Sequence, residues 1–177
     1  GKLTGYITDG EGFVHNLKDH GVDIKGKKIT VAGGGGAATA IQVQCALDGA
    51  REITIFNIKD AFFERTLQTA EKIRKAVPGI VVNVYDIADT AKMTEEITSS
   101  DIFANATIVG MKPMDDQSVV KDLSAFRPGL VVCDAVYNPA ETKLLREAKE
   151  AGCTCIGGKG MLLWQGVAAF RLYTGMD

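Results

Sequence analysis

Short apolar runs alternate with stretches of helical period along most of the chain. β-Branched or apolar runs occur at 28–32, 52–56, 80–85, 101–106, 129–136 and 153–158. The central runs are continuous rather than alternating, which is typical of parallel strands covered on both faces. The pattern therefore predicts an α/β fold: a Rossmann-like, doubly wound, mainly parallel six-stranded sheet with helices on both faces.

The helix predicted after the second strand is the most clearly amphipathic. It carries an apolar face formed by Phe63, Leu67, Ala70, Ile73 and Val77, and Pro78-Gly79 ends it. Further helices are expected at 90–98, 140–152 and 160–175. On the last of these, Leu162 and Leu163 are expected to pack in the core.

Residues 1–27 precede the first strand and differ in character from the rest. A helix over 11–21 is expected to turn Phe13, Val14 and Leu17 inward. Asp9 lies just before it, and its local sequence fits a turn residue or the cap of a helix that starts near Glu11. We therefore expect one domain, residues 1–177, in which 1–27 form a connecting segment.

Composition narrows the classes of function. The chain has 177 residues, of which 46% are hydrophobic and 24% charged, and its net charge is -2. We therefore expect neither a nucleic-acid nor a membrane partner, and a cytoplasmic location. Four cysteines form no C-x-x-C pair and lie far in sequence from the two histidines, so no metal site is expected and the thiols are predicted to be reduced and buried.

A glycine run follows the first strand directly and opens a helix rich in small residues. Gly33, Gly35 and Ala38 fit the pattern G-x-G-x-x-A. Residues without side chains permit a sharp turn and close approach of a pyrophosphate, and the helix N-terminus offers free N–H groups to it. The run predicts a dinucleotide site.

The end of the second strand bears on which dinucleotide binds. Asn57 ends the strand and Asp60 follows three residues later. An acid there binds the ribose hydroxyls and repels a 2′-phosphate, which favours NAD. Lys59 leaves NADP open as an alternative. Asp60 also fits the N-cap of a helix that starts at Ala61, and the two roles are compatible.

Six motifs, taken in order, resemble the shikimate/quinate dehydrogenase family, and its quinate/shikimate branch in particular. They are TDG (8–10), AGGGGAATA (32–40), FNIKDAFF (56–63), NATIVGMKP (105–113), VYNP (136–139) and GKGMLLWQG (158–166). The dual-specificity branch has Asn-Arg-Arg-Asp where this chain has Asn57-Ile58-Lys59-Asp60. Loss of one arginine strengthens the expectation of NAD.

The resemblance implies a function in aromatic amino-acid metabolism. It is the reversible, NAD(P)-dependent transfer of hydride between shikimate or quinate and 3-dehydroshikimate or 3-dehydroquinate. In the family a lysine and an aspartate flank the reacting oxygen. The lysine belongs to an amino-terminal substrate domain that we expect to be absent from this chain, so the chain alone should bind NAD without turnover. A homodimer stays open.

The resemblance also implies roles for individual residues. Asp9 matches the catalytic aspartate, and Asp9, Gln165 and Tyr137 would contact the substrate. The residues expected to bind the cofactor are Gly33, Gly34, Gly35, Gly36, Ala37, Asn57, Lys59, Asp60, Ile108, Ala135, Val136, Tyr137, Asn138, Gly158 and Met161.

Several of these features have simpler structural explanations. VYNP fits a strand-to-helix turn with Asn138 as cap and Pro139 at the first helical position. Met161 fits core packing, and Lys112 fits a solvent-exposed loop lysine. Two other functions stay open: a non-catalytic dinucleotide-binding module, and a dehydrogenase of similar layout with another substrate, such as the methylene-tetrahydrofolate or glutamyl-tRNA reductase groups.

Overall fold

A computed structural model describes residues 2–61 and 63–176 of the chain; Gly1, Phe62 and Asp177 lie outside the described residues. Its strands are β1 (Lys28–Ala32), β2 (Glu52–Asn57), β3 (Val81–Asp86), β4 (Ile102–Asn105), β5 (Val131–Asp134) and β6 (Thr154–Ile156). They form one sheet in the order β3-β2-β1-β4-β5-β6, and every pairing is parallel. The predicted six-stranded, Rossmann-like sheet is confirmed.

Six α-helices connect and flank the strands within the described residues. They are α1 (Asp9–Asp19), α2 (Gly36–Leu47), α3 (Phe63–Ala76), α4 (Thr90–Thr98), α5 (Lys143–Glu150) and α6 (Gly158–Thr174). A short 3₁₀ turn at Leu123–Ala125 was not predicted.

The two faces of the sheet bury separate apolar clusters. Alternate strand residues such as Ile29, Val31 and Ile55 pack on one face against α1, α2, α3 and α6. Their neighbours, among them Phe56 and Phe103, pack on the other face against α4 and α5. Helices therefore cover both faces, as the continuous apolar strands predicted.

The order of the strands determines where a ligand can bind. From β1 the chain proceeds outward through β2 to β3, then crosses back to β4 on the other side of β1. The carboxyl ends of β1 and β4 thus lie side by side at the point where the order reverses. In open α/β sheets this crevice is the usual ligand site.

Helix α1 packs closely between two other helices. A Cβ on Gly10 would lie 2.5 Å from the Ala40 carbonyl oxygen in α2, and one on Gly12 would lie 2.6 Å from the Met161 carbonyl oxygen in α6. Phe13, Val14 and Leu17 are buried as predicted. The described part of the connecting segment, residues 2–27, thus packs on the sheet and its helices through α1.

The prediction that α1 starts near Glu11 is wrong, because the helix begins at Asp9 with Thr8 as N-cap. Asp9 therefore lies in the first turn and is not the cap. A carboxylate there interacts favourably with the free N–H groups of the helix N-terminus.

Helix α3 differs from its prediction in its start and in its buried face. It begins at Phe63 rather than Ala61. Its buried residues are Thr66, Ala70 and Ile73, whereas Leu67 is partly exposed. The buried face is therefore turned from the predicted one toward Thr66. Polar Thr66 can be buried because its hydroxyl accepts a hydrogen bond from Asn57.

The helix after β5 is capped by Thr142, not Asn138. Helix α5 begins at Lys143, and the Thr142 hydroxyl accepts from the backbone N–H of Leu145 at 3.4 Å. Asn138 and Pro139, joined by a cis peptide bond, precede the helix and do not start it. Asn138 and Thr142 are both residue types that cap helices, and they lie four residues apart. Thr142, whose hydroxyl donates to the buried Asp134 carboxylate, is the one that caps α5.

Leu162 and Leu163 are not in the core. They are 45% and 65% exposed, because α6 turns its other face, including Met161 and Ala168, toward α1 and the sheet. Gly160 faces Asn16 on α1 and allows the two helices to approach closely.

A buried ionic cluster lies at the amino-terminal edge of the sheet, opposite the edge where the strands end. Lys28 Nζ lies 2.7 Å from Glu96 Oε2 and 3.1 Å from Glu52 Oε1, and Thr54 also donates to Glu96. Burial raises the pKa of the Glu96 carboxyl, but hydrogen bonds from Lys28 and Lys92 outweigh it and leave the pKa lowered. The cluster lies at the other edge from the glycine run.

Candidate functional site

The glycine turn, residues 33–35, leaves β1 at the crevice between β1 and β4. Gly33 has φ +123°, a region that favours glycine, and a Cβ there would lie 2.7 Å from the Ala106 carbonyl oxygen. Its N–H donates to the Phe56 carbonyl at 2.7 Å, and its own carbonyl accepts from Gln42 Nε2 at 3.0 Å. Hydrogen bonds from the turn to β2 and from α2 to the turn therefore hold it in place.

The N-terminus of α2 points its first backbone N–H groups out of the turn without a side-chain cap. The N-cap is Gly35, which offers no side-chain acceptor to these groups. Neither Gly35 nor Gly36 has any atom within 4 Å of an added Cβ, so the space beside them is open. Uncapped N–H groups beside open space fit a pyrophosphate.

Asn57 closes one side of the turn at the end of β2. Its side-chain amide donates to the Thr66 hydroxyl at 3.0 Å. A Cβ on Gly34 would lie 2.5 Å from Asn57 Nδ2 and 2.6 Å from Thr66 Oγ1. Gly34 is therefore required by the protein's own packing, and Thr66, which was not identified from the sequence, orients Asn57.

A cavity of about 550 Å³, the first cavity, opens over the ends of β1, β2 and β3. Gly33, Gly34, Gly35, Asn57 and Ile108 line it, together with Ile58 and residues that follow β3 and β4. The structure therefore brings five of the predicted cofactor residues around one cavity.

A second cavity, of about 350 Å³, lies over the ends of β4 and β5. Ala37, Ile108, Ala135, Val136, Tyr137 and Asn138 line it. Ala106, Thr107 and Ile108 line both cavities. Together the two cavities make one groove that crosses the carboxyl edge of the sheet from Asn57 to Tyr137.

Five predicted cofactor residues do not line the groove. Gly36 starts α2, while Lys59 and Asp60 are exposed beyond the end of β2. Gly158 is buried where α6 begins and packs against the backbone of Ala135 and Val136. Met161 is 3% exposed and belongs to the core, the position that its alternative explanation implied.

Lys112 is exposed, as expected of a loop lysine, and it also lines the second cavity. Its loop follows β4 and includes Met111, another lining residue.

Asp9 and Gln165 lie on helices that contact each other. Gln165 Cγ would be 2.8 Å from a Cβ on Gly12, one turn along α1 from Asp9. Both residues are half-buried, and neither side chain has a hydrogen bond or ion pair within residues 2–61 and 63–176. Because they have no partner in the described structure, both groups are available to another molecule. Neither of them lines the groove.

Beneath the groove lies a polar network that the sequence analysis did not identify. Asp134, the last residue of β5, is 3% exposed. Its carboxylate accepts from the Val136 N–H and Asn105 Nδ2 at 3.0 Å each, and from the Thr142 hydroxyl at 2.7 Å. The signal available in the sequence was the polar residue that ends each of two successive apolar strands, Asn105 and Asp134.

The buried carboxyl of Asp134 has a shifted pKa. Burial raises its pKa to about 6, although hydrogen bonds from Thr142, Val136 and Asn105 act in the opposite direction. Removal from water therefore dominates for this group.

Other kinds of site find little support in the described residues. They include no group of three or more His, Cys, Asp or Glu side chains that could hold a metal ion. No described helix is both long enough and apolar enough to cross a membrane. Cys45 and Cys133 are buried and Cys153 and Cys155 half-buried, all four as free thiols.

Known proteins resemble this chain over its whole length. The quinate/shikimate dehydrogenase of Escherichia coli O139:H28 is 48% identical over 177 residues, which are 100% of this chain and 61% of that protein. No family model matches the chain.

Solved structures resemble it in fold as well. Shikimate 5-dehydrogenase from Listeria monocytogenes, in complex with shikimate and NAD, is 47% identical with a TM-score of 0.95. The match covers 99% of this chain and 60% of that one. The ligand-free 5-ketofructose reductase of Gluconobacter sp. strain CHM43 is 32% identical with a TM-score of 0.84, covering 100% of this chain and 61% of that one.

This chain thus spans less than two thirds of the relatives that it matches. The family resemblance predicted from its motifs is confirmed: along its whole length, the chain is related in sequence and in fold to the shikimate/quinate dehydrogenases.

Proposed function

We propose that this chain is the nucleotide-binding part of an NAD(P)-dependent shikimate/quinate dehydrogenase. The observation that carries the proposal is the groove, which begins at an uncapped helix N-terminus behind a glycine turn and continues past Tyr137. Its shape suits an extended dinucleotide at the switch point of the sheet. Relatives of the same layout support it.

The proposed cofactor contacts follow the groove. Gly34 to Ala37 would hold the pyrophosphate through backbone N–H groups. Asn57, Lys59 and Asp60 would lie beside the adenosine ribose. The nicotinamide would lie in the second cavity between Ile108 and residues 135–138, with Gly158 and Met161 behind them.

NAD is the proposed preferred cofactor. Asp60 supplies a carboxylate beyond β2, where a 2′-phosphate would be repelled. Ile58, which lines the first cavity, offers no charge to that phosphate. Lys59 is the feature that favours some use of NADP, and the Listeria relative was solved with NAD.

A dinucleotide held in the groove would supply the redox chemistry: its oxidised form would take up a hydride from the alcohol carbon, and its reduced form would give one to the ketone. Oxidation also releases the hydroxyl proton, which needs an acceptor within hydrogen-bonding distance of that oxygen. Asp9 is the proposed orienting carboxylate, since it is half-buried and without a partner in the described structure. Gln165 and Tyr137 would contact the substrate.

The proton-transferring lysine is proposed to come from an amino-terminal substrate domain of the same polypeptide. The chain spans 61% of its curated relative, which leaves room for such a domain. The chain alone should therefore lack turnover.

The test compares the 177-residue chain with a protein extended to the length of its relatives. Reduction of NAD by shikimate and by quinate is followed through nicotinamide absorbance. We expect turnover only in the longer protein, and loss of most of it in Asp9→Asn. Turnover by the chain alone would contradict the assignment of the proton carrier, and absence of turnover in both would contradict the substrate.

One observation favours a second candidate, a reductase of the same layout that acts on another polyhydroxylated ketone. The 5-ketofructose reductase covers this chain fully with a TM-score of 0.84. Adding 5-ketofructose with NADH or NADPH as hydride donor, and following oxidation of the nicotinamide by the same absorbance, distinguishes the two, because shikimate and quinate carry a ring carboxylate and 5-ketofructose does not.

A further inference from the structure

We propose that Asp134 is a positioning residue that ties together the two walls of the second cavity. The walls are the β4 loop, residues 106–110, and the β5 loop, residues 135–142. The proposal rests on the proposed function, because its consequence is a weaker hold on the dinucleotide.

The link from Asp134 to the β5 loop is direct. Asp134 Oδ1 accepts from the backbone N–H of Val136, two residues along, and Val136 lines the second cavity. Asp134 Oδ2 accepts from the hydroxyl of Thr142 at the far end of the loop. One carboxylate thus bonds to both ends of the segment that carries Tyr137 and Asn138.

The link to the β4 loop passes through Asn105. Asn105 Nδ2 donates to Asp134 Oδ1 and to the Val109 carbonyl, each at 3.0 Å. Asn105 Oδ1 accepts from the backbone N–H of Thr107 at 3.1 Å and from its hydroxyl at 2.7 Å. The Val109 N–H in turn donates to Thr107 Oγ1. The loop is therefore built around the amide that Asp134 orients.

A packing contact closes the arrangement. Gly110, at the end of the β4 loop, has φ +102°, and a Cβ there would lie 3.3 Å from Thr142 Cγ2 and 3.8 Å from Asp134 Oδ2. The two loops therefore meet at Thr142 as well as through Asn105.

Asp134 acts through other residues and not on the ligand. It is buried, and neither Asp134 nor Asn105 nor Thr142 lines either cavity. Loss of the carboxylate would leave the Val136 N–H, the Thr142 hydroxyl and one of the two Asn105 Nδ2 protons without an acceptor inside the protein, which allows both loops to shift.

The experiment uses the 177-residue chain and four variants. Asp134→Ala removes the carboxylate, and Asp134→Asn keeps an acceptor for Val136 and Asn105 while its amide can donate to Thr142. Asn105→Ala cuts only the link to the β4 loop. Glu96→Gln weakens the buried cluster at the opposite edge and serves as the control for lost stability.

Two readouts are taken: the Kd for NAD by titration calorimetry, and amide hydrogen exchange without NAD. We expect Asp134→Ala to raise the Kd at least about tenfold, and Asp134→Asn and Glu96→Gln to stay within about threefold. The Thr107, Val109 and Val136 amides should exchange faster in Asp134→Ala. In Asn105→Ala, only Thr107 and Val109 should do so.

Unchanged NAD binding in Asp134→Ala overturns the proposal, as does an equal loss of affinity in Glu96→Gln. If Asp134→Ala does not fold, Asn105→Ala decides between the two outcomes by the same readouts. If the unmodified chain binds neither NAD nor NADP, the proposed function fails. The exchange rates then still test the link, and unchanged exchange at the three amides overturns it.

Discussion

The side-chain amide of Gln42, in helix α2, donates to the carbonyl of Gly33 at 3.0 Å. Helix α2 begins three residues after Gly33. Gln42 is fully buried, and its Oε1 has no hydrogen-bond partner among the described residues. Burying that oxygen without a partner costs stability. The hydrogen bond from Gln42 nevertheless fixes the glycine turn to α2.

Gln42→Leu should destabilise the protein and weaken dinucleotide binding together. It removes the donor to a buried carbonyl, which alone costs about 1–3 kcal/mol. It also removes the unpartnered Oε1, a gain in stability. We therefore expect the free energy of unfolding to fall by about 1 kcal/mol. Urea denaturation measures the free energy of unfolding. Gln44→Ala is the control, because Gln44 bonds only to exposed Asp48 and should change stability by less than about 0.5 kcal/mol. Equal effects of the two variants would contradict the role of Gln42.

Two neighbouring glycines should differ in what their substitution damages. Gly34→Ala forces a methyl group within 2.6 Å of Asn57 and Thr66, and overpacking of this kind costs about 1–3 kcal/mol. Gly35→Ala meets no protein atom within 4 Å, so its Tm should stay near that of the unmodified chain. Because the added methyl lies where the pyrophosphate is proposed, Gly35→Ala should still weaken NAD binding. Unchanged NAD affinity in Gly35→Ala, or a large loss of its Tm, is the contrary result.

The ionic cluster at the amino-terminal edge should support stability and not binding. Glu96→Gln removes the charge that lies 2.7 Å from Lys28, although Glu52 remains 3.1 Å away. We expect a loss of about 2 kcal/mol, less than for a buried charge left alone. Glu95→Gln, in an exposed pair with Lys92, should cost less than about 0.5 kcal/mol. Similar unfolding curves for the two variants would show that burial does not strengthen the Lys28–Glu96 pair.

The Asp134 carboxyl should make stability depend on pH. Its pKa is about 6 in the folded chain and about 3.9 in an unfolded one. The unfolded state therefore loses the proton first, and stability falls as pH rises from about 4 to about 6, by up to about 3 kcal/mol. Asp134→Asn cannot lose a proton, so its Tm relative to the unmodified chain should rise across that window and then level off. A difference in Tm that is constant from pH 4 to 7 would contradict the raised pKa.

The fold could be predicted from the sequence because its main signals are local. Continuous apolar runs, the glycine run and Pro78-Gly79 each determine structure nearby in the chain, and the six strands follow from them. The cavity linings around Ile108 and Tyr137 follow once the carboxyl ends of the strands meet at one edge.

The misplaced features depend on contacts between distant residues. Thr142 caps α5 because Asp134 accepts from its hydroxyl across the β5 loop. Leu162 and Leu163 are exposed because α6 packs against α1 through Gly12 and Gly160. Hydrophobic periodicity shows that a helix has an apolar face, but not which neighbour covers it.

The most direct test of the groove as a dinucleotide site is calorimetric titration of the 177-residue chain with NAD, repeated with NADP. We predict saturable binding of one NAD per chain and weaker binding of NADP, which follows from the proposed repulsion of a 2′-phosphate by Asp60. Absence of saturable binding of both nucleotides would contradict the assignment of the groove.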